Sequence, residues 1–334
     1  MNAYERTFAQ LRGAPVDQLP VAPLLMVFAA DHVGARYSDY VRDHRALVRA
    51  QLAVCEDYEL DLVSCCSDAW REAADCGTPL EFPEHQPPHA AARRLTSPAD
   101  LAALPPPDPL GGGRMTDRVA AVEAFATAVK GRVPILGWIE GPLALAANLY
   151  GLNEFLIATR RDPAFAAALL DWCAALGERF ALTQVAAGAD LIGIGDAAAS
   201  LVSPAWYERE IAPRERRLVV AIHAAGAAVR LHICGDLHGK FAAAAATGAD
   251  LIDVDFPQTL AEVRAAVGPD VCLAGNLHPV EQVLHSDPER IRRDLAACHR
   301  QAGPRYVVAA GCEVPPGTPS AHLRALVEYA RSAA

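Results

Sequence analysis

His232-Ile233-Cys234, answered far downstream by Cys312 in Gly311-Cys312-Glu313-Val314-Pro315, gathers the side chains that hold a soft metal ion. One imidazole and two thiols suit borderline-soft Zn²⁺, whereas Mg²⁺ and Ca²⁺ prefer oxygen. Three protein ligands leave one position open, which is the arrangement of a catalytic zinc; a structural zinc is closed by four. Residues two apart on a strand point to the same face, so His232 and Cys234 would share one, with Arg230 beside them. A His-x-Cys alone is more often a packing accident, and the case rests on Cys312 falling at a second strand end in matching register. Asp68, Glu140, Asp196 and the pair Asp253/Asp255 also close predicted strands. Any one of these acids reads as a solvated or helix-capping group, while five on one rim read as a functional mouth. Asp68, Glu140, Asp196 and Asp255 are the catalytic candidates. Asp255, 21 residues after Cys234, is the candidate for a fourth metal ligand at rest.

These residues need a scaffold, and its rhythm is visible. Apolar runs recur at Val21–Ala29, Leu60–Ser67, Val133–Ile139, Ala189–Gly195, Ala227–Cys234, Ala249–Phe256, Val271–Leu277 and Tyr306–Cys312. Helical patterns follow at Tyr40–Asp57, Pro163–Ala187, Pro204–Ala225, Leu260–Val267, Val280–Ala302 and Ser320–Ser332. Asp162-Pro163 and Ser203-Pro204 place a capping residue before proline at the first helical position. Near-continuous apolar strands alternating with helices imply a parallel sheet covered by helices. Eight such units predict an α/β fold, a (β/α)₈ TIM barrel formed as a single domain over residues 1–334, because closure removes exposed edges. Ala69–Lys130 is too long for one helical connection and carries Pro79, Pro83, Pro87, Pro88, Pro105–Pro107 and Gly111–Gly113. It is expected as an insertion, about 69–130 after the second strand, folded over the barrel mouth or lying on the surface.

Composition narrows the function classes. The 334 residues are 52% hydrophobic and 21% charged, with 30 basic and 40 acidic side chains for a formal charge of −10. That balance gives no sign of a nucleic-acid or anionic-membrane binder. Met1–Gln10 lacks a secretory apolar stretch, and no run approaches the roughly 20 apolar residues of a membrane span. Nine cysteines, an odd number in a long chain, are expected as reduced thiols in a cytoplasmic protein.

Leu231-His232-Ile233-Cys234-Gly235, Ala274-Gly275-Asn276-Leu277-His278-Pro279 and Gly311-Cys312-Glu313-Val314-Pro315-Pro316-Gly317-Thr318-Pro319 resemble the uroporphyrinogen decarboxylase superfamily. Within it they look like the zinc-dependent, corrinoid-linked methyltransferase branch, whose best-known members are methylcobamide:coenzyme M methyltransferases. Cys66-Ser67-Asp68, Gly141-Pro142-Leu143-Ala144-Leu145-Ala146-Ala147 and Asp196-Ala197-Ala198-Ala199 carry the likeness along the chain. The resemblance implies a (β/α)₈ barrel and Zn²⁺ on His232, Cys234 and Cys312, matched residue by residue to the branch's His-x-Cys…Cys motif. It implies methyl transfer from a methyl-corrinoid to a zinc-activated small thiol, with Asp255 or Glu140 as resting ligand or proton acceptor.

Departures separate the branches. The decarboxylases carry Arg-Gln-Ala-Gly-Arg after the first strand; here Phe28-Ala29-Ala30-Asp31-His32-Val33-Gly34-Ala35-Arg36 does not match, and Cys312 replaces their histidine. His278 stands where the superfamily has aspartate. The corrinoid signature Asp-x-His-x-x-Gly is not completed, since Asp236-Leu237-His238-Gly239-Lys240 runs on into Phe241. The methyl donor is therefore expected on a separate corrinoid protein or as free methylcobamide, and a homodimer is among the expected partners. Two alternatives stay open: a decarboxylase of a tetrapyrrole or other acid centred on Asp68, and a non-catalytic zinc- or corrinoid-binding partner.

Overall fold

The computed structural model describes residues 1–333. Seven parallel strands form one curled sheet: β1 Val63–Ser64, β2 Ile135–Glu140, β3 Leu191–Gly195, β4 Ala228–His232, β5 Leu251–Val254, β6 Cys272–Leu277 and β7 Tyr306–Ala310. They pair in sequence order. The eighth stave is the segment around Val21, which bridges Val308 on one side. On its other side the Asp61 amide donates to the Val21 carbonyl at 2.9 Å and the Val21 amide to Asp61 Oδ2 at 2.8 Å. The ring thus closes through Pro20–Ala22 into a (β/α)₈ barrel with no free edge.

Alternation along the strands sorts side chains into two cores. Leu136, Trp138, Leu191, Leu251, Cys272, Ala274, Val307 and Ala309 fill the barrel interior, while their neighbours pack against the helices. Trp138 is too large for this interior unless a facing strand gives way. Gly193 and Gly195 provide the space: a Cβ at Gly195 would lie 2.8 Å from the indole. Register then places Glu140 opposite Gly195 and Gly195 opposite His232, in one layer at the C-terminal end of the barrel.

The helices begin where side chains can take up the orphaned amides of a first turn. Asp162 accepts from the Phe165 amide at 3.0 Å to start Pro163–Ala187, and Gly188, at φ +118°, ends it in a left-handed conformation that a side chain disfavours. Thr259 and Glu262 form a capping box before Leu260–Val267. Pro163–Ala187, Leu260–Val267 and Ser320–Ser332 coincide with the expected helices.

Elsewhere the expectations need correction. Only Val21 of Val21–Ala29 pairs as a strand, and Val27–His32 is a helix; Val27–Ala30 are all buried, so no polar face revealed a helical period. Leu60–Ser67 shrinks to Val63–Ser64. Tyr40–Asp57 divides into Tyr37–Tyr40 and His44–Tyr58, the second started by the Asp43 cap. Val280–Ala302 breaks into Pro279–Leu284 and Pro288–Ala302, where Asp287 and Pro288 start a new helix. In the stretch 69–130, Arg114–Val129 is a regular helix against β2. The residues before it hold the helix Arg71–Asp75, a hairpin of Leu80–Glu81 with His89–Ala90, and the helix Pro98–Ala102.

Candidate metal centre at the barrel mouth

His232 is the last residue of β4, Cys234 lies two beyond it, and Cys312 follows β7. Their donor atoms lie within 4.8 Å of one another. His232 Nε2 is 2.9 Å from Cys234 Sγ and 3.8 Å from Cys312 Sγ, and the two sulfurs are 3.2 Å apart. All nine cysteines are free thiols. The other imidazole nitrogen, Nδ1, is 2.7 Å from Asp253 Oδ2. Asp253 is in turn held by Arg230 Nε at 2.9 Å, and Arg230 Nη1 donates to the Ala22 carbonyl across the barrel. This chain fixes the ring orientation and aims Nε2 at the two sulfurs, as a carboxylate behind a metal-binding histidine does. Donor types, proximity and backing carboxylate all fit a zinc ion.

Electrostatics in the cluster follow from its crowding. The hydrogen bond from Cys234 pulls the Cys312 thiol down to about 4, while sharing that bond and being buried push Cys234 up. Burial alone would lower His232, but the bonds to Asp253 and Cys312 outweigh it and raise the imidazole to about 10. The loop carrying Cys312 is pinned to the first strand–helix connection, because Glu313 Oε1 accepts from the Val27 amide at 2.8 Å and the Val314 amide donates to the Leu24 carbonyl.

The four acids named from the sequence go to different places. Glu140 faces the interior, where Oε1 accepts from Trp138 Nε1 at 3.1 Å, and it lines an open cavity of about 570 Å³. The Trp138 ring stands 5.8 Å from that of His232. Burial and neighbouring Glu72 push the Glu140 carboxyl well above its usual range. Asp255 stays outside the donor cluster; its carboxylate accepts from the Gly235 and Phe256 amides at 2.7 and 2.8 Å.

Asp196 does not reach the mouth. It follows inward-facing Gly195, so alternation turns it toward the helices, where it accepts from the Leu143 and Ala144 amides at the start of Pro142–Tyr150. Burial raises it to about 7.

Asp68 is fully buried in an ion pair, with Arg114 nitrogens 2.9 and 2.8 Å from its two oxygens and Ser67 Oγ at 2.7 Å. Burial would raise its pKa, and Arg114 with Arg71 and Arg118 more than reverses that. Asp68→Ala is expected to lower stability by roughly 3–5 kcal/mol, since it leaves buried guanidinium charge uncompensated. Specific activity per folded molecule should be nearly unchanged; denaturant titration beside turnover checks both.

Two roles escaped the sequence. Asp253 stood among the rim acids with no task, although an inward acid on the strand beside His232 is placed to bond it. His278, the departure from the superfamily's aspartate, accepts from the Val280 and Glu281 amides through Nδ1 at 3.2 and 3.3 Å. It caps Pro279–Leu284 as an aspartate would, and its ring stacks 3.8 Å from Phe256.

The chain superposes on a methyltransferase from Methanosarcina mazei with a TM-score of 0.91 at 24% identity, covering 100% of this chain and 99% of that one. A B12-independent methionine synthase from Shewanella sp. shares the fold more distantly, with a TM-score of 0.60 at 13% identity over 87% of each chain. Among sequence relatives, the methylcobamide:CoM methyltransferase MtaA of Methanosarcina barkeri is 28% identical, covering 96% of this chain and 95% of its own. A uroporphyrinogen decarboxylase of Streptomyces avermitilis is 32% identical but covers 69% of this chain and 65% of its own. The family model for uroporphyrinogen decarboxylase (URO-D) matches residues 2–333, nearly the whole chain, which therefore belongs to the uroporphyrinogen decarboxylase family.

Proposed function

We propose that this protein is an enzyme that moves a methyl group from a methyl-corrinoid to a small thiol, with Zn²⁺ held by His232, Cys234 and Cys312. The observation that carries the reading is the Arg230–Asp253–His232 chain behind a His/Cys/Cys cluster at the catalytic rim of the barrel. The full-length likeness to methylcobamide:CoM methyltransferases supports the same chemistry. The chemistry a bound zinc supplies is deprotonation of the thiol that takes its open position. Transfer forms the new S–CH₃ bond as the cobalt–carbon bond breaks, leaving that bond's electron pair on the corrinoid. Asp253 orients His232, and Cys234 and Cys312 hold the metal as thiolates. Asp255, bonded to the amide next to Cys234, is the better placed proton acceptor; the Glu140 carboxyl, pushed up by burial and by Glu72, is bonded to Trp138 instead.

The donor needs a landing surface. Leu201, Phe256 and Val280 are large apolar side chains 61%, 45% and 41% exposed, and they follow β3, β5 and β6 at the mouth. Such a rim suits a flat macrocycle, carried by a separate corrinoid protein or free in solution.

Zinc-loaded protein is expected to demethylate methylcobalamin only when a thiol is present, read from the corrinoid absorption spectrum. At the zinc X-ray absorption edge the thiol should add a Zn–S distance near roughly 2.3 Å. A decarboxylase would release CO₂ and a binding partner would turn nothing over; either result, with no added sulfur ligand, removes the proposal.

The insertion belongs to this reading as one wall of the mouth, since Ala69, Trp70, Ala90, Ala92 and Arg93 line the cavity beside Glu140. Shortening only the hairpin tip, residues 83–87, should lower turnover at least about tenfold while shifting stability by less than about 1 kcal/mol, because those residues are exposed or half-buried. Unchanged turnover would reduce the hairpin to a surface excursion.

A further inference from the structure

The cavity beside the cluster bears on which thiol is methylated, and the inference rests on the methyl-transfer reading above. Its inner end is Glu140, and its walls include Trp70, Ala144, Ala147, Ala197 and Ala198. Register sets Glu140 two strands from His232, about 10 Å between backbones, with only Gly195 between them. The turn Ala197–Leu201 forms one wall and packs on Gly235, where a Cβ would lie 3.2 Å from Ser200 Oγ. His232, Cys234 and Cys312 do not themselves line the cavity; the Trp138 ring, bonded to Glu140 and 5.8 Å from that of His232, and this turn stand between the two.

The cavity's titratable lining is Glu140 and Arg93. Glu140 is backed by Glu72, whose Oε1 accepts from the Glu140 amide at 2.8 Å while its Oε2 is buried without a partner. The surrounding cations are engaged: Arg118, the buried guanidinium nearest Glu72 and Glu140, donates to the Trp138 and Asp68 carbonyls and to Ser67 Oγ. Arg93, the one cation lining the cavity among the described residues, lies 2.9 Å from Glu154. Arg114 and Arg71 hold Asp68 and Asp117, and Arg230 holds Asp253. Lys240 Nζ donates to the Ser200 and Asp236 carbonyls. A sulfonate or carboxylate entering here would lose its water without gaining a free cation among the described residues. Alanine walls instead reward apolar surface, and the volume exceeds what a two-carbon thiol fills.

We propose that the methyl acceptor is a thiol whose non-reacting part is apolar and uncharged, an alkyl or aryl thiol, seated in the cavity between Glu140 and the Ala197–Leu201 turn. With zinc-loaded full-length protein and methylcobalamin, kcat/KM for benzyl mercaptan should exceed that for 2-mercaptoethanesulfonate or 3-mercaptopropionate at least tenfold at equal thiolate concentration. Ala147→Lys adds a cation to the wall without touching the metal centre. It should raise the anionic thiols at least tenfold relative to benzyl mercaptan and leave KM for methylcobalamin unchanged. Preference of the unsubstituted protein for an anionic thiol overturns the proposal. So does a change confined to KM for methylcobalamin, which would give the cavity to the donor. Binding of the product thioethers, benzyl methyl sulfide against 2-(methylthio)ethanesulfonate, read by tryptophan fluorescence, decides the point without turnover. If no thiol is methylated, the methyl-transfer reading fails, while tighter binding of the apolar thioether upholds the charge preference and tighter binding of the sulfonate ends it.

Discussion

Cys234→Ala and Cys312→Ala proteins are expected to come from purification with little bound zinc and with turnover lowered roughly a thousandfold or more. Zinc binding by a preformed thiolate site is worth on the order of 10 kcal/mol, so losing one of three ligands removes several. At about 1.4 kcal/mol per tenfold, that spans three or more powers of ten in affinity. Both sulfurs lie within 4 Å of His232 Nε2, and no other cysteine joins the cluster among the described residues. Cys173→Ala, which alters a thiol buried in the helix layer, should keep its metal. Elemental analysis with thiol-dependent demethylation reads both effects; full zinc retention in both cluster variants would remove the metal assignment. Because the ligands bind as thiolates and neutral imidazole, protons compete with the metal, so chelator competition should show affinity falling as pH falls.

The second large effect is expected at Asp253, a residue that touches no sulfur. Asp253→Ala removes the partner of His232 Nδ1 and of Arg230 together. Loss of a carboxylate behind a ligating histidine typically costs 10–100-fold in metal affinity or activity. Leaving Arg230 buried without its partner costs roughly 3–5 kcal/mol of stability. The two consequences are separable. Replacing the pair by apolar side chains, Arg230→Met with Asp253→Leu, should recover most of the stability, because neither charge remains. It should not recover zinc affinity, because the imidazole is still unanchored. Denaturant midpoints and zinc competition, measured on the single and double variants, test the separation. Equal recovery of both properties would reduce the bond to fold maintenance.

How much of this was visible in the residues differs between site and scaffold. The donor set was legible because soft-ligand chemistry resides in residue type, and because period-two alternation put His232 and Cys234 on one face. That Cys312 would meet them needed barrel closure, which the count of strand–helix units already implied. Asp196 was misplaced by a single step: the rim was read as a height along the barrel, and the side of the strand was left out. Gly195 points inward beneath Trp138, so Asp196 must point outward to cap Pro142–Tyr150. Asp68 was read as an acid free to act, and it is neutralised by Arg114, 46 residues away; Asp255 is held beside the cluster by the Gly235 and Phe256 amides, neighbours that no local pattern revealed.

The sequence by itself determined the alternation of strands and helices, the (β/α)₈ class, the capped helix starts and the three candidate metal ligands, since each follows from local periodicity or intrinsic side-chain chemistry. Tertiary structure alone decided which carboxylates are free, which are spent on ion pairs or amides, and that Asp253 orients His232. It also decided that Val27–His32 is a helix and that Glu140 lines an apolar cavity beside the cluster. The physical reason is the same in each case: a side chain's charge and task depend on what lies within a few ångströms, and in a closed barrel those neighbours come from strands and helices distant in the chain.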